Sequence, residues 1–110
     1  MTARLRALDL FSGTGSITKA FRNSGHECDS LDLDPRFQLT FCVNIMEWDY
    51  RALSPGSYDA IWASCPCEQY SVAKSSALTP RDLALADALV RRTMEIIEHF
   101  APRAFFIENP

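Results

Sequence analysis

The residues best suited to chemistry are a thiol and a carboxylate, each placed beside an apolar run. Cys67 lies in CPCEQYS (65–71), after a proline and after the stretch YDAIWAS (58–64). A sulfur on a rigid loop beyond a buried strand can act as a nucleophile if its pKa is lowered. The same placement suits an inert buried cysteine, a redox thiol, or half of a metal site shared with Cys65. Zinc usually takes four ligands, and Cys65 with Cys67 has no matching Cys or His pair, so no metal is expected. Glu108 follows the run RAFFI (103–107). It reads either as a turn residue or as an acid at the mouth of a strand. A thiol and an adjacent acid suit addition to an electron-poor ring, with proton transfer by the acid.

A second group could bind a cofactor. The stretch ALDLFSGTGSITKAF (7–21) reads as a strand, a turn carrying Gly13 and Gly15, and a helix start. Glycine permits a sharp bend and close approach to a ligand, while the helix start offers free N–H groups and its positive dipole end. A dinucleotide fingerprint would place a third glycine where Thr18 stands, which argues against a nicotinamide enzyme. Asp32, closing the next apolar run, is placed to accept the hydroxyls of a ribose. Alternatively, Asp32 or Asp34 caps a turn before Pro35.

These residues need a scaffold that gathers them. Strands are expected near 5–11, 28–33, 41–45, 58–64 and 103–107. A helix is expected over 15–24, with Ile17, Ala20 and Phe21 on one face and Gly25 as its left-handed cap. Residues 46–57 read as loop, and 65–79 as a long polar connection. A second helix opens with Thr79 as N-cap and Pro80 at its first position, and stops before Pro102. Its buried stripe is Leu83, Ala86, Leu89, Val90, Met94, Ile97 and Phe100, with Asp87, Arg91 and Glu95 alternating in sign opposite. The alternation predicts an α/β, doubly wound, Rossmann-like parallel sheet in the order 3-2-1-4-5. Ligands in such sheets bind beyond the carboxyl ends of the strands, where all the residues singled out above should fall.

The totals agree. The 110 residues suffice for one domain, at 47% hydrophobic and 23% charged residues. No apolar run reaches the length of a membrane span, and the start MTARLRALDL is too charged for a signal peptide, so a cytoplasmic protein is expected. The four cysteines are irregularly spaced and read as thiols. A net charge of −3 argues against a protein that coats nucleic acid, though not against an enzyme touching DNA over a small area. Lys74, Arg81, Arg91 and Arg92 form a loose basic group that reads as a solvated helix face. His26 and His99 read as surface residues.

Taken together, these motifs resemble the cofactor-binding and nucleophile half of the DNA (cytosine-5) methyltransferase family, its small phage-type members in particular. Asp9 to Gly15 (DLFSGTG) is similar to the first family motif. Pro66, Cys67, Glu68, Gln69, Tyr70 and Ser71 follow the order of the nucleophile motif, and Glu108 with Asn109 that of the Glu-Asn hallmark. The resemblance covers nearly the whole chain. It implies that Phe11, Ser12, Gly13, Thr14 and Gly15 wrap S-adenosyl-L-methionine. Asp32 would hold its ribose, Leu33 would pack on the adenine, and Asn44 with Ile45 would meet the adenine edge. Cys67, oriented by Pro66, would add to carbon 6 of a cytosine flipped out of DNA. Glu108 would bond the ring at nitrogen 3.

Some positions depart from the family pattern. Glu68 stands where Gln is usual and would raise the pKa of a neighbouring thiol. Cys65 replaces a small residue or a proline, Asn44 an Asp, and Pro110 a Val. The family's later motifs supply an Arg that supports the cytosine, a target-recognition region and a closing segment of the cofactor pocket. None of these is in the 110 residues. The expectation is therefore a domain incomplete at its C-terminus, leaving RAFFI as an uncovered edge, with a missing half or complementing chain as partner. Such a chain alone should bind cofactor weakly and methylate poorly. Two other functions compete. An amino-methyltransferase would want an Asp/Asn/Ser-Pro-Pro-aromatic loop, which Ser64 to Cys67 fits badly. A non-catalytic remnant would bind a nucleotide or a partner protein without an adduct at Cys67.

Overall fold

A computed structural model of the chain describes residues 4–65 and 80–108, with side chains from residue 84 onward in the second stretch. The apolar runs become five strands: β1 (Arg6–Leu10), β2 (Glu27–Asp32), β3 (Phe41–Cys42), β4 (Ala60–Ser64) and β5 (Ala104–Glu108). Two helices, α1 (Ser16–Asn23) and α2 (Pro80–Phe100), and a 3-10 turn (Tyr50–Ala52) complete the described elements. All strand pairs are parallel and the order is 3-2-1-4-5, as the alternation predicts. The 65–79 connection lies almost wholly outside the described residues, as does the proposed cap Thr79.

Alternation along β1 sends Leu8 and Leu10 to one face of the sheet and Ala7 to the other. The first face carries the main core, where Leu31, Ile61 and Ala63 meet Ile96, Ile97 and Phe100 of α2, with Trp48 and Tyr58 packed in. The second face is thinner, with Ala7, Cys28 and Ala60 under Phe21 of α1. Of the expected α2 stripe, Ala86, Ile97 and Phe100 are buried and Leu89, Val90 and Met94 pack half-buried on the core; Thr93 and Ile96 join it fully buried, and the Leu83 side chain lies outside the described residues. On α1 the buried position is Thr18, whereas Ala20 is exposed and Ile17 and Phe21 are half-buried.

Gly25 caps α1 as expected. It takes φ 87, its N–H bonds the Arg22 carbonyl, and the His26 N–H reaches back to Phe21. Strand β3 has two residues instead of five, because Asn44 turns the chain. Its Oδ1 accepts the Met46 N–H at 2.9 Å and its carbonyl accepts the Glu47 N–H at 2.8 Å. At the far edge β5 is exposed along its length, with Phe106 at 54%. No helix among the described residues is long and apolar enough to cross a membrane.

Candidate active site at the carboxyl rim of the sheet

Leaving β1, the chain enters the left-handed region three times in five residues: Phe11 at φ 59, Gly13 at φ 52 and Gly15 at φ 86. A Cβ built on either glycine would meet no atom within 4 Å, so the backbone conformation, not crowding, requires glycine there. Phe11 carries real strain, since a bulky side chain disfavours that region. The turn is laced to β2. The Ser12 N–H bonds the Leu31 carbonyl at 3.0 Å, and the Gly13 N–H bonds Asp32 Oδ2 at 2.8 Å.

Asp32 therefore does serve its turn. Its Oδ1 accepts the N–H groups of Leu33 and Asp34 at 2.7 and 3.1 Å. Among the described residues Oδ2 takes only Gly13, and so keeps acceptor capacity toward the rim. Asp34 is occupied by its own neighbour: Arg36 beside it lowers its pKa to about 2.

The motif residues do not all face one space. Phe11, Asp32, Leu33, Asn44 and Ile45 line a cleft of about 400 Å³, together with Leu31, Val43, Met46, Ser64, Leu85 and Leu89. Its walls are largely apolar, with Leu33, Met46 and Leu85 exposed at its surface. Ser12, Gly13, Thr14 and Gly15 border a neighbouring cavity of about 280 Å³, with Thr18, Lys19 and Arg36. A more open cavity of about 600 Å³ lies by the amino ends of β1 and β2 and holds none of the motif residues. Two of its arginines are spoken for, Arg6 by Asp29 and Arg22 by the Cys28 carbonyl.

Glu108 sits beside Ser64 in the register of β4 and β5. The Ser64 hydroxyl donates to Glu108 Oε2 at 3.1 Å, and the Trp62 indole N–H donates to Ser64 Oγ at 3.0 Å. Ser64 also lines the 400 Å³ cleft, so one residue borders both the cleft and the carboxylate. Pro66, Cys67, Asn109 and Pro110 lie outside the described residues. Cys65 is buried in the main core with its Sγ 3.8 Å from Thr93 Oγ1. Among the described residues no group of three or more His, Cys, Asp or Glu could hold a metal ion.

Three supporting residues escaped the sequence reading. Asp9 is buried, and its Oδ2 accepts both the backbone N–H and the hydroxyl of Thr18, at 3.1 and 2.7 Å. Burial pushes this carboxyl above the ordinary range, and the Thr18 bonds pull against that. The supposed missing glycine is thus a partner for a buried acid. Arg92 is the second. Its Nε and Nη2 donate to the carbonyls of Ile45 and Trp48 at 3.0 and 2.7 Å, and its guanidinium lies 4.6 Å from the Tyr50 ring centroid. It clamps the segment that supplies Asn44 and Ile45 to the cleft, and pairs with Glu95, whereas Arg91 is exposed. The Arg81 side chain and Lys74 lie outside the described residues. Ser64 is the third, and its only sequence signal is its place at the end of an apolar strand. Both histidines are more engaged than surface residues: His26 accepts the Leu5 N–H at 3.1 Å, and His99 Nε2 lies 2.8 Å from the Leu53 carbonyl.

Comparison with known proteins adds to this geometry. A family model described as C-5 cytosine-specific DNA methylase matches residues 5–110. A probable DNA (cytosine-5)-methyltransferase of Frog virus 3 (isolate Goorha) is 37% identical over 118 aligned positions, covering 96% of this chain and 54% of its own length. The type II methyltransferase M.HpaII of Haemophilus parainfluenzae is 30% identical over 113 positions, covering 93% of this chain and 30% of its own length. The chain thus spans about half the length of the viral relative and less than a third of the bacterial one.

Proposed function

The chain belongs to the C-5 cytosine-specific DNA methylase family, and from that premise we propose that it carries the cofactor-binding and nucleophile part of an enzyme that methylates carbon 5 of cytosine in DNA. The observation that carries the reading is the convergence of an apolar cleft, the Asp32 carboxylate and Glu108 on one rim of the sheet. The family ordinarily uses S-adenosylmethionine, and the cleft suits it. A volume of about 400 Å³ lies within the range of small-molecule sites. Leu33, Ile45, Met46 and Leu85 offer apolar surface to a purine, and Asp32 Oδ2 offers an acceptor to a ribose hydroxyl. Asn44 Oδ1 already accepts one N–H and has capacity for one more. The glycine turn, residues 11–15, would border the rest of the molecule.

The chemistry follows from the residue types. Carbon 6 of cytosine is inaccessible in stacked DNA, so the base must leave the helix. The Cys67 thiolate, oriented by Pro66, forms a bond to carbon 6, and the 5,6 double bond opens. The displaced electron density reaches carbon 5 and nitrogen 3, where Glu108 supplies a proton. When bound, S-adenosylmethionine supplies an activated methyl group to the carbon 5 so made nucleophilic. Release of the carbon 5 proton to water and expulsion of the thiolate restore the double bond, and Glu108 takes back the proton from nitrogen 3.

The test is methyl transfer. The chain, alone and supplemented with the C-terminal portion of the viral relative, is given labelled S-adenosylmethionine and duplex DNA, and the product is digested to nucleosides. Label in 5-methylcytosine is expected. Label on an exocyclic nitrogen would contradict the reading. Cofactor binding with no label under either condition would reduce the chain to a nucleotide-binding module.

A further inference from the structure

Resting on the reading in which Glu108 meets the cytosine ring, we propose that Ser64 is a positioning residue that aims Glu108 and decides which of its two oxygens faces the base. Ser64 and Glu108 are direct partners across β4 and β5, and their side chains meet at 3.1 Å. The direction of each proton in this group is fixed by chemistry. An indole N–H can only donate, so Ser64 Oγ must be the acceptor at its 3.0 Å contact with Trp62. The single serine proton is then left for the carboxylate, which in its ionised form can only accept. The chain of bonds therefore runs one way, from indole to hydroxyl to Glu108 Oε2.

Two consequences follow. Oε2 is held toward Ser64, which turns Oε1 toward the base. When Glu108 is protonated, Oε2 is still accepting from Ser64, and the proton resides on Oε1, where nitrogen 3 could take it. An anchor is needed because Glu108 is exposed at the end of an edge strand, and an untethered glutamate spreads over many rotamers. The anchor is itself held, since the Trp62 ring packs on its cross-strand partner Phe106 with centroids 5.4 Å apart. Ser64 need not touch the reacting atoms; it acts through Glu108.

A double-mutant cycle tests this, read on the rate of covalent complex formation with a 5-fluorocytosine duplex and S-adenosylmethionine, the C-terminal portion of the viral relative being supplied. Ser64→Ala is expected to slow the reaction roughly tenfold, the effect of losing a hydrogen bond to a charged group, with S-adenosylhomocysteine affinity within about twofold of wild type. Ser64→Thr keeps the hydroxyl and should recover the rate to within about threefold. In a Glu108→Ala background Ser64→Ala should cost nothing further, because the acceptor through which it acts has been removed. A wild-type rate for Ser64→Ala, or losses that multiply in the double variant, would overturn the proposal. A wild-type rate for Glu108→Ala, or no complex from the wild type, would instead remove the reading of the site, and this role with it. The Trp62 indole N–H resonance gives a readout independent of turnover. It should shift and exchange faster in Ser64→Ala but not in Ser64→Thr, and an unmoved signal in Ser64→Ala would also overturn the proposal.

Discussion

Asp9 and Thr18 tie β1 to α1 across the glycine turn: one buried carboxylate oxygen receives the hydroxyl of Thr18 at 2.7 Å and its N–H at 3.1 Å. The acid thereby takes an N–H from the first turn of α1 and places negative charge at the positive end of the helix. Thr18→Val keeps the shape and removes one donor. It is expected to cost roughly 2 kcal/mol, the scale of a hydrogen bond to a charged group. The Asp9 carboxyl is already raised by burial, so folded protein binds its proton more tightly than unfolded chain. Such a group loses stability as pH rises through the ordinary carboxyl range toward the raised value. Removing the hydroxyl raises the carboxyl further, so the deficit should be larger at pH 7.5 than at pH 5. Urea unfolding at the two pH values measures it. A loss below about 0.5 kcal/mol at both would mean the pair is not a support.

Arg92 should matter to cofactor affinity without touching cofactor. It holds the carbonyls of Ile45 and Trp48 in a fork that lysine, with one ammonium, cannot reproduce. Arg92→Lys is expected to weaken S-adenosylhomocysteine binding about tenfold while the helical circular dichroism is kept. Calorimetric titration checks it, and unchanged affinity would show that the loop is held by other means.

Alkaline pH should loosen the fold before the arginines titrate. Burial pushes the Cys28 thiol from 9.0 up to about 11, and it also raises the Tyr58 hydroxyl, which donates to Asp29 at 2.7 Å. Folded protein keeps protons that unfolded chain releases, so stability is whole below about pH 9 and declines as pH climbs to about 11. The Cys28 contribution alone is at most roughly 3 kcal/mol. Melting curves between pH 8 and 10.5 should fall more steeply for wild type than for Cys28→Ala. Parallel curves would exclude this linkage.

What could be read in advance follows a physical division. Strand order, the glycine turn and the left-handed cap at Gly25 were legible because apolar continuity and glycine placement are local signals, whereas the left-handed Phe11 carries no such signal. The stop of β3 was not, because the Asn44 side chain competes with the ladder for the Met46 N–H and ends the strand early. Thr18 looked like a lost glycine until Asp9 was seen to lie beneath it. Arg92 looked solvated because the carbonyls it binds lie 47 and 44 residues away, and Ser64 and Glu108 are likewise 44 residues apart. Relations of that span belong to the fold, and helix-face or strand patterns do not contain them.

The proposed attack of Cys67 on cytosine leaves a covalent product that can be weighed. The most direct measurement is intact mass after incubation with S-adenosylmethionine and a 5-fluorocytosine duplex, with and without the C-terminal portion of the viral relative. Fluorine at carbon 5 prevents the final proton loss, so an adduct persists through denaturation. A complex with the mass of chain, oligonucleotide and one methyl group is expected, absent in Cys67→Ser. No complex from the wild type under either condition, or an equal one from Cys67→Ser, would contradict the proposed attack.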